Sequence, residues 1–530
     1  MSLILVIASA LVTGLCFAFY EVGFIAYFSL IPLFYLMLKG AAENKNPVKM
    51  YFTGYLWGFV FHAAVFYWFA YQYPLEYLGF STGEAIGYVA LTWFGIGAIL
   101  SLVLALWQLA FALFAKSRLY KERKWLFIPF VSSLYIVFEF IFTLGPLASP
   151  WTRLALTQQA YTAGLQTASL FGSYFLSFLI VFVNACLAYG FYVWKDTKEK
   201  KPLAVCASVA LGSVLLNYAA GTALYFADRS YTKDLPSYSA SALQGNIVSG
   251  RSESGGPWET LEMFLSMAED DIEEHGTKLT VLPEGCFSLY LEYNEAFENE
   301  LKKFSEKHGI VILISCYQHD EENRLYCVMW CVSPDGSVTG PYRKQHPVPF
   351  GEFTPCRELI LKIFPFIEDV TSLGDDLSAG TENVVMDSAL GGIGGFICFD
   401  SAFEMIGVGS VRGGAEILFE ASNDSWWMDS RQLDEHNGHA ILRAIETRRC
   451  VIRSTSAGCS TVINSRGEVL ASVKALTSGT ANAEVYNRTD LSFYAKCPYL
   501  FLSLCVLCSF TLICFAAVYE IKSKKPKGGC

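Results

Sequence analysis

Eight long apolar stretches, set apart by short polar segments and by one polar-rich interval of domain size, constrain this chain more than any other feature. They fall at about 1–23, 24–38, 51–70, 85–115, 125–144, 168–194, 203–226 and 499–519. A helix needs roughly 20 apolar residues to cross the hydrocarbon core of a bilayer, so each stretch is a candidate span, the second short for the purpose and the fourth longer than required. Composition agrees. With 53% hydrophobic residues, 15% aromatic residues and a mean hydropathy of +0.36, the chain is too apolar for an ordinary soluble protein. The first stretch has no charge before Glu21, so it lacks the basic flank of a cleavable signal and reads as a retained helix.

Basic residues cluster after every second stretch: Lys39, Lys45 and Lys49; Lys116, Arg118, Lys121, Arg123 and Lys124; Lys195, Lys198, Lys200 and Lys201; Lys522, Lys524, Lys525 and Lys527. The positive-inside rule then places both termini in the cytoplasm and the long interval outside it. Three units follow: a membrane domain over 1–226, an extracytoplasmic domain over 227–496, and a last span with a basic tail over 497–530. The net charge of −10, with no basic stripe interleaved with aromatics, argues against a nucleic-acid partner.

The interval has α/β texture. Apolar runs at 238–247, 279–282, 310–316 and 415–420 read as strands, and 258–274, 294–307 and 434–448 read as helices. Its most informative stretch is 391–405, GGIGGFICFDSAFEM. The glycine-rich run Gly391–Ile397 reads as a buried strand that delivers Cys398 to a sharp turn, with a helix-compatible segment from Asp400. Amide N–H groups at such a turn favour the thiolate, the attacking form of cysteine. A nucleophile also needs a base and an oxyanion partner. Glu284 ends the apolar strand 280–285, TVLPEG, and Lys344 sits in 340–355, a Pro/Gly-rich stretch that reads as loop. Singly these residues are a small hydrophobe, a strand-end charge and a surface lysine. Together, in that order, they supply base, cation and nucleophile.

The ordered set Glu284, Lys344 and Cys398 resembles the Glu-Lys-Cys triad of the nitrilase superfamily. Gln244-Gly245-Asn246, Arg343-Lys344-Gln345-His346 with Pro349-Phe350-Gly351-Glu352, and Arg443-Ala444-Ile445-Glu446 are similar to signatures of the apolipoprotein N-acyltransferases, as is the plan of eight spans with one insert. The resemblance implies a polytopic α-helical membrane domain carrying an α/β, four-layer αββα sandwich. It implies Glu284 as general base, Lys344 as oxyanion partner, Cys398 as nucleophile and Glu352 as their support. Trp258 stands near the place of the family's tryptophan, though the spacing is loose, and Phe399-Asp400 replaces the usual Tyr-Glu, which changes the hydrogen bonds available there. The implied reaction moves an acyl chain from a phospholipid, through a thioester, to the α-amine of the S-diacylglyceryl-cysteine that begins an apolipoprotein. The implied place is the bacterial inner membrane with the catalytic domain on the periplasmic side. A membrane-anchored amidase of the same superfamily, or a non-enzymatic scaffold or transporter, are the alternatives.

Other features are weaker. There is no HExxH and no GxSxG, and His436 and His439 beside Glu435 lack a further ligand set, so neither metal nor cofactor is expected. The insert holds Cys286, Cys316, Cys327, Cys331, Cys356, Cys398, Cys450 and Cys459, whose pairing is not readable, while Cys505 and Cys508 read as small buried side chains within a span. The loop with Pro150-Trp151, followed by 170–174, is expected to pack against the insert. Asn184 and Glu139 are expected to bond between helices. The stretch 361–373, seven large apolar residues around a proline, reads as a lid touching lipid or as a satellite core, and Trp426-Trp427 occupy another loop.

Overall fold

The computed structural model describes residues 2–75, 79–248, 256–358, 362 and 376–524. Apolar helical segments stand at all eight expected places: Ser2–Ala18, Tyr20–Ala42, Pro47–Val65, Thr82–Phe114, Lys124–Ile141, Ser173–Thr197, Lys200–Thr232 and Leu500–Lys524. Six of them, all but Ser2–Ala18 and Pro47–Val65, combine the length and hydropathy of a membrane span. The sixth begins later than the sequence suggests. Gly172 breaks the run with φ 73°, and a Cβ there would stand 2.4 Å from the Tyr494 ring, so the long helix starts only at Ser173. The segment Tyr20–Ala42 is interrupted near Leu30, where backbone groups lose their helical partners. Asn184 meets them, accepting from Leu30 N at 2.9 Å and donating to Ala26 O at 2.8 Å. Glu139 accepts from Leu154 N, in the segment that follows its helix, and also interacts with Ser177 of the helix Ser173–Thr197.

The interval forms two six-stranded sheets, in the order β12-β1-β2-β3-β4-β5 and β11-β10-β9-β8-β7-β6. The strands are β1 Ser237–Gln244, β2 Leu279–Val281, β3 Val311–His319, β4 Leu325–Val332, β5 Val338–Arg343, β6 Met386–Ser388, β7 Gly391–Ile397, β8 Ile417–Ser422, β9 Val451–Thr455, β10 Thr461–Ile463, β11 Val469–Ser472 and β12 Gly479–Tyr486. Parallel centres, β1-β2-β3 and β7-β8-β9, carry antiparallel flanks. The two sheets pack face to face, helices Pro257–His275 and Glu295–His308 cover the first, and Glu404–Arg412 and Gln432–Thr447 cover the second. That is a four-layer αββα sandwich. The first two of these helices stop where Gly276 and Gly309 take left-handed φ of 66° and 63°.

The second pair of helices faces the membrane helices, and the contact is ionic and buried. Arg153 reaches Glu404 at 2.9 Å, and Ser173 N donates at 2.8 Å to Glu446, which is itself paired within its own helix to Arg443 at 2.8 Å. Trp151 donates from its indole to Glu435 at 3.0 Å, as expected of a loop that packs on the insert. At the end of Lys200–Thr232, Asp228 meets Arg488 at 2.5 Å, with Arg448 and Arg466 at 3.7 and 3.8 Å. Every cysteine among the described residues is a free thiol, with Cys505 buried. The expected lid at 361–373 lies, but for Lys362, outside the described residues.

Candidate active site

Three chain ends converge between the sheets. Glu284 follows β2 and is 6% exposed; Lys344 follows β5 and is 1% exposed; Cys398 follows β7. The sequence reads 340–355 as loop throughout, yet 340–343 complete β5, because their alternation is masked by Gly340 and Pro341. Lys344 Nζ stands 2.7 Å from Glu284 Oε1 and 2.7 Å from Glu352 Oε1. The remaining carboxylate oxygens are also held: Glu284 Oε2 accepts from Asn423 N at 2.9 Å, and Glu352 Oε2 from Val348 N at 2.7 Å.

Burial alone would strip the proton from Lys344, but the two carboxylates outweigh it and hold the ammonium well above the usual lysine range. Burial raises Glu284, and Lys344, shared with Glu352, does not bring it back down. Cys398 is corrected in the same terms. Burial and the nearby Glu284 push its thiol well above the ordinary value, so the resting group is S–H and the thiolate favoured by turn amides is not the ground state. Glu284 is the carboxylate whose charge acts most on the thiol, and both groups line the same cavity, which places the proton's destination nearby. A second correction concerns the following segment. Cys398 has φ 52°, residues Cys398–Ala402 form a 3-10 turn, and the α-helix starts at Glu404 rather than Asp400.

Phe399-Asp400 is anchored on both sides. Asp400, fully buried, accepts from Tyr342 Oη at 2.7 Å, from His346 N at 2.8 Å and from Gln345 N at 3.2 Å, which ties the Cys398 turn to the segment bearing Lys344. The Phe399 ring stacks on Trp151 at 6.0 Å and meets Phe403 edge-on at 5.3 Å. Trp258 is not brought to the site. It is 49% exposed on the outer helix and packs edge-on against Phe297 at 5.3 Å. Gln244 is a staple between chain segments, accepting from Ser460 N at 3.0 Å and donating to Lys474 O at 2.8 Å.

The sequence weighs His436 only as a metal ligand, and it misses Asp424, Glu420 and Arg453. His436 Nδ1 is 2.7 Å from Asp424, and Arg453 bridges Asp424 at 2.5 Å and Glu420 at 3.1 Å. Cys398, Asp424 and His436 bring atoms of metal-ligand type within 4.8 Å of one another, but Asp424 and His436 are committed to each other and Asp424 also to Arg453.

Cys398, Glu284 and Glu352 open onto a cavity of about 610 Å³ whose other wall comes from the membrane region: Trp68, Phe69, Ile96, Leu100 and Trp151. Trp427 closes it at the junction, meeting Trp68 edge-on at 4.4 Å. An apolar chamber with one polar end suits a ligand with a long hydrocarbon part and one reacting carbonyl.

Residues 239–490 match the carbon-nitrogen hydrolase family, so the αββα unit is a carbon-nitrogen hydrolase domain. Residues 9–186 match the apolipoprotein N-acyltransferase N-terminal domain. With both halves matched, the chain belongs to the apolipoprotein N-acyltransferase family and is a membrane-embedded acyltransferase. It is 26% identical over 475 residues to the apolipoprotein N-acyltransferase of Geobacter metallireducens, covering 88% of this chain and 87% of that one. The Nostoc sp. enzyme of the same name is 24% identical over 506 residues, covering 94% and 96%. That of Thermotoga maritima is 24% identical over 495 residues, covering 93% and 90%.

Proposed function

We propose that this chain transfers a fatty acyl group from a phospholipid to the α-amine of an S-diacylglyceryl-cysteine at the start of an apolipoprotein. One observation carries the reading: Cys398 and Glu284 lie at the polar end of a cavity partly walled by membrane helices, with the buried Lys344 ammonium 2.7 Å from Glu284. Glu284 takes the Sγ proton as Cys398 attacks the ester carbonyl, and Lys344 meets the oxyanion. The tetrahedral species collapses by breaking the C–O bond, the protonated Glu284 returns its proton to the departing lysophospholipid oxygen, and a thioester remains. The amine then attacks the thioester carbon and gives a proton to Glu284, the C–S bond breaks, and Glu284 returns that proton to the departing Sγ, which restores the Cys398 thiol. The apolar walls restrict water and favour the amine as second nucleophile.

The basic clusters after alternate spans support an inner-membrane topology with cytoplasmic termini and a periplasmic catalytic domain. Acyl-labelled phospholipid added without acceptor is expected to leave label on Cys398, released by hydroxylamine and transferred as an amide to a diacylglyceryl-cysteine peptide. Label surviving in Cys398→Ala removes Cys398 as nucleophile; rapid free fatty acid release without peptide makes the protein a hydrolase.

A further inference from the structure

The imidazole of His436 is buried, and each of its nitrogens faces only acceptors. Nδ1 meets Asp424 Oδ1 at 2.7 Å, and Nε2 meets the Cys398 backbone carbonyl at 3.2 Å and Glu420 Oε1 at 3.2 Å. A neutral imidazole would have to turn a lone pair toward one of these oxygens. Two N–H donors satisfy both hydrogen bonds, with the Glu420 carboxylate as an ionic neighbour of Nε2, so the geometry calls for the imidazolium. Charge agrees with the count of bonds: burial works against the cation, but Asp424 outweighs it and His436 is held above its ordinary range, with Arg453 opposing and Glu420 adding to the effect. Asp424, Glu420 and Arg453, with His439 one turn further along the helix, are the charged and titratable groups facing the ring besides Cys398.

The carbonyl that His436 grips belongs to Cys398, which is held at φ 52°, a left-handed conformation that residues with a Cβ seldom adopt. A peptide unit is planar, so anchoring the Cys398 carbonyl also orients the opposite edge of that plane, the Phe399 N–H. We propose that His436, braced by Asp424, is a positioning residue for catalysis that fixes the Cys398–Phe399 peptide plane and with it the attack geometry of the thiol. It bonds the peptide carbonyl rather than the thiol, although it lines the same cavity, and it is distinct from the Glu284–Lys344 pair, which acts on the proton and the oxyanion. The inference rests on Cys398 being the nucleophile.

The test is single-turnover acylation of the full-length protein in detergent with acyl-labelled phosphatidylglycerol, read as label on Cys398 against donor concentration. His436→Leu is expected to lower the saturating rate on the order of 100-fold, the scale of an ångström-level misplacement, while the donor concentration at half-saturation stays within about twofold. His436→Gln keeps one N–H donor and is expected to recover about tenfold of that loss. If His436→Leu does not assemble, Asp424→Asn, which leaves the ring in place without its brace, is expected to show a smaller loss of the same kind. Acylation at the wild-type rate in His436→Leu, or in Asp424→Asn where that variant replaces it, overturns the proposal. So does a loss seen only in half-saturation, or a Gln variant no better than Leu. Wild-type protein that takes no label on Cys398 refutes the underlying reading instead.

Discussion

Glu284 and Glu404 are both buried carboxylates of the catalytic domain, and they differ in the number of cations each can claim. Glu404, at the junction with the membrane helices, has Arg153 at 2.9 Å and Arg443 at 4.0 Å; burial pushes its carboxyl up, but the two guanidinia outweigh it and hold it below the usual range. Glu284 shares the Lys344 ammonium with Glu352, and burial wins. Glu446, which shares Arg443, is raised by burial in the same way. Glu435 completes the series: its partners are the indole N–H groups of Trp68 at 3.3 Å and Trp151 at 3.0 Å, and burial pushes it up to about 8. The lesson is that burial does not by itself make an acid basic or structural. A carboxylate with surplus cations is a clamp; one with a shared cation can accept a proton.

The comparison breaks most severely at Glu284. Glu284→Gln keeps the shape but removes the proton acceptor and replaces one of two accepting oxygens by an N–H₂ donor, and the acylation rate of Cys398 is expected to fall by about 10²–10⁴-fold, far out of proportion to any loss of melting temperature. If Glu284 instead behaved as a clamp like Glu404, stability would fall along with rate.

At Glu404 the opposite split is expected. Arg153→Met leaves a buried carboxylate without its nearest cation, which costs roughly 3–5 kcal/mol, read as a lower melting temperature and faster proteolysis at the junction. Acylation per folded molecule should change little. Glu404 has a depressed folded value, so its contribution is present above the unfolded carboxylate range and is lost as pH falls through the folded value.

Glu435 sharpens the series through the sign of its pH dependence. Its folded value of about 8 lies above the unfolded one, so the folded state holds a proton that the unfolded state has released. Its contribution to stability is therefore full below the unfolded value and is lost as pH rises through about 8. Melting temperatures measured from pH 6 to pH 9 should decline in the wild type and decline less in Glu435→Gln.

The smallest effect belongs to Trp258. Exposed and remote from the cavity, its replacement by Ala should change stability by no more than about 0.5 kcal/mol and leave acylation intact. A loss of activity there would bring Trp258 back into the site.

Legibility followed how local each signal is. The strand Gly391–Ile397 is readable residue for residue, because a glycine-rich apolar run bounded by polar residues has few other solutions. The apolar helices are readable because a bilayer imposes their length, and the long helices of the insert because their apolar spacing is sustained. Edge strands β6, β11 and β12 are short or of mixed polarity and are visible only through their pairing. Glu284, Lys344, Glu352 and Cys398 come together because each follows a motif at a strand end or its adjoining loop. The His436–Asp424 pair escapes, since it depends on how one helix turns its face over β8 and β9, and Trp258 misleads because chain spacing does not say which way an outer helix points.

The chamber wall contributed by Trp68, Phe69, Ile96 and Leu100 has an evolutionary and practical consequence. The αββα domain holds only part of this chamber: excised, it would keep Glu284, Lys344 and Cys398 and lose the apolar wall that faces them. Substitutions in the membrane helices are therefore changes to substrate choice as much as to anchoring, and chimeras joining halves from distant relatives should fail at this seam even where each half is sound.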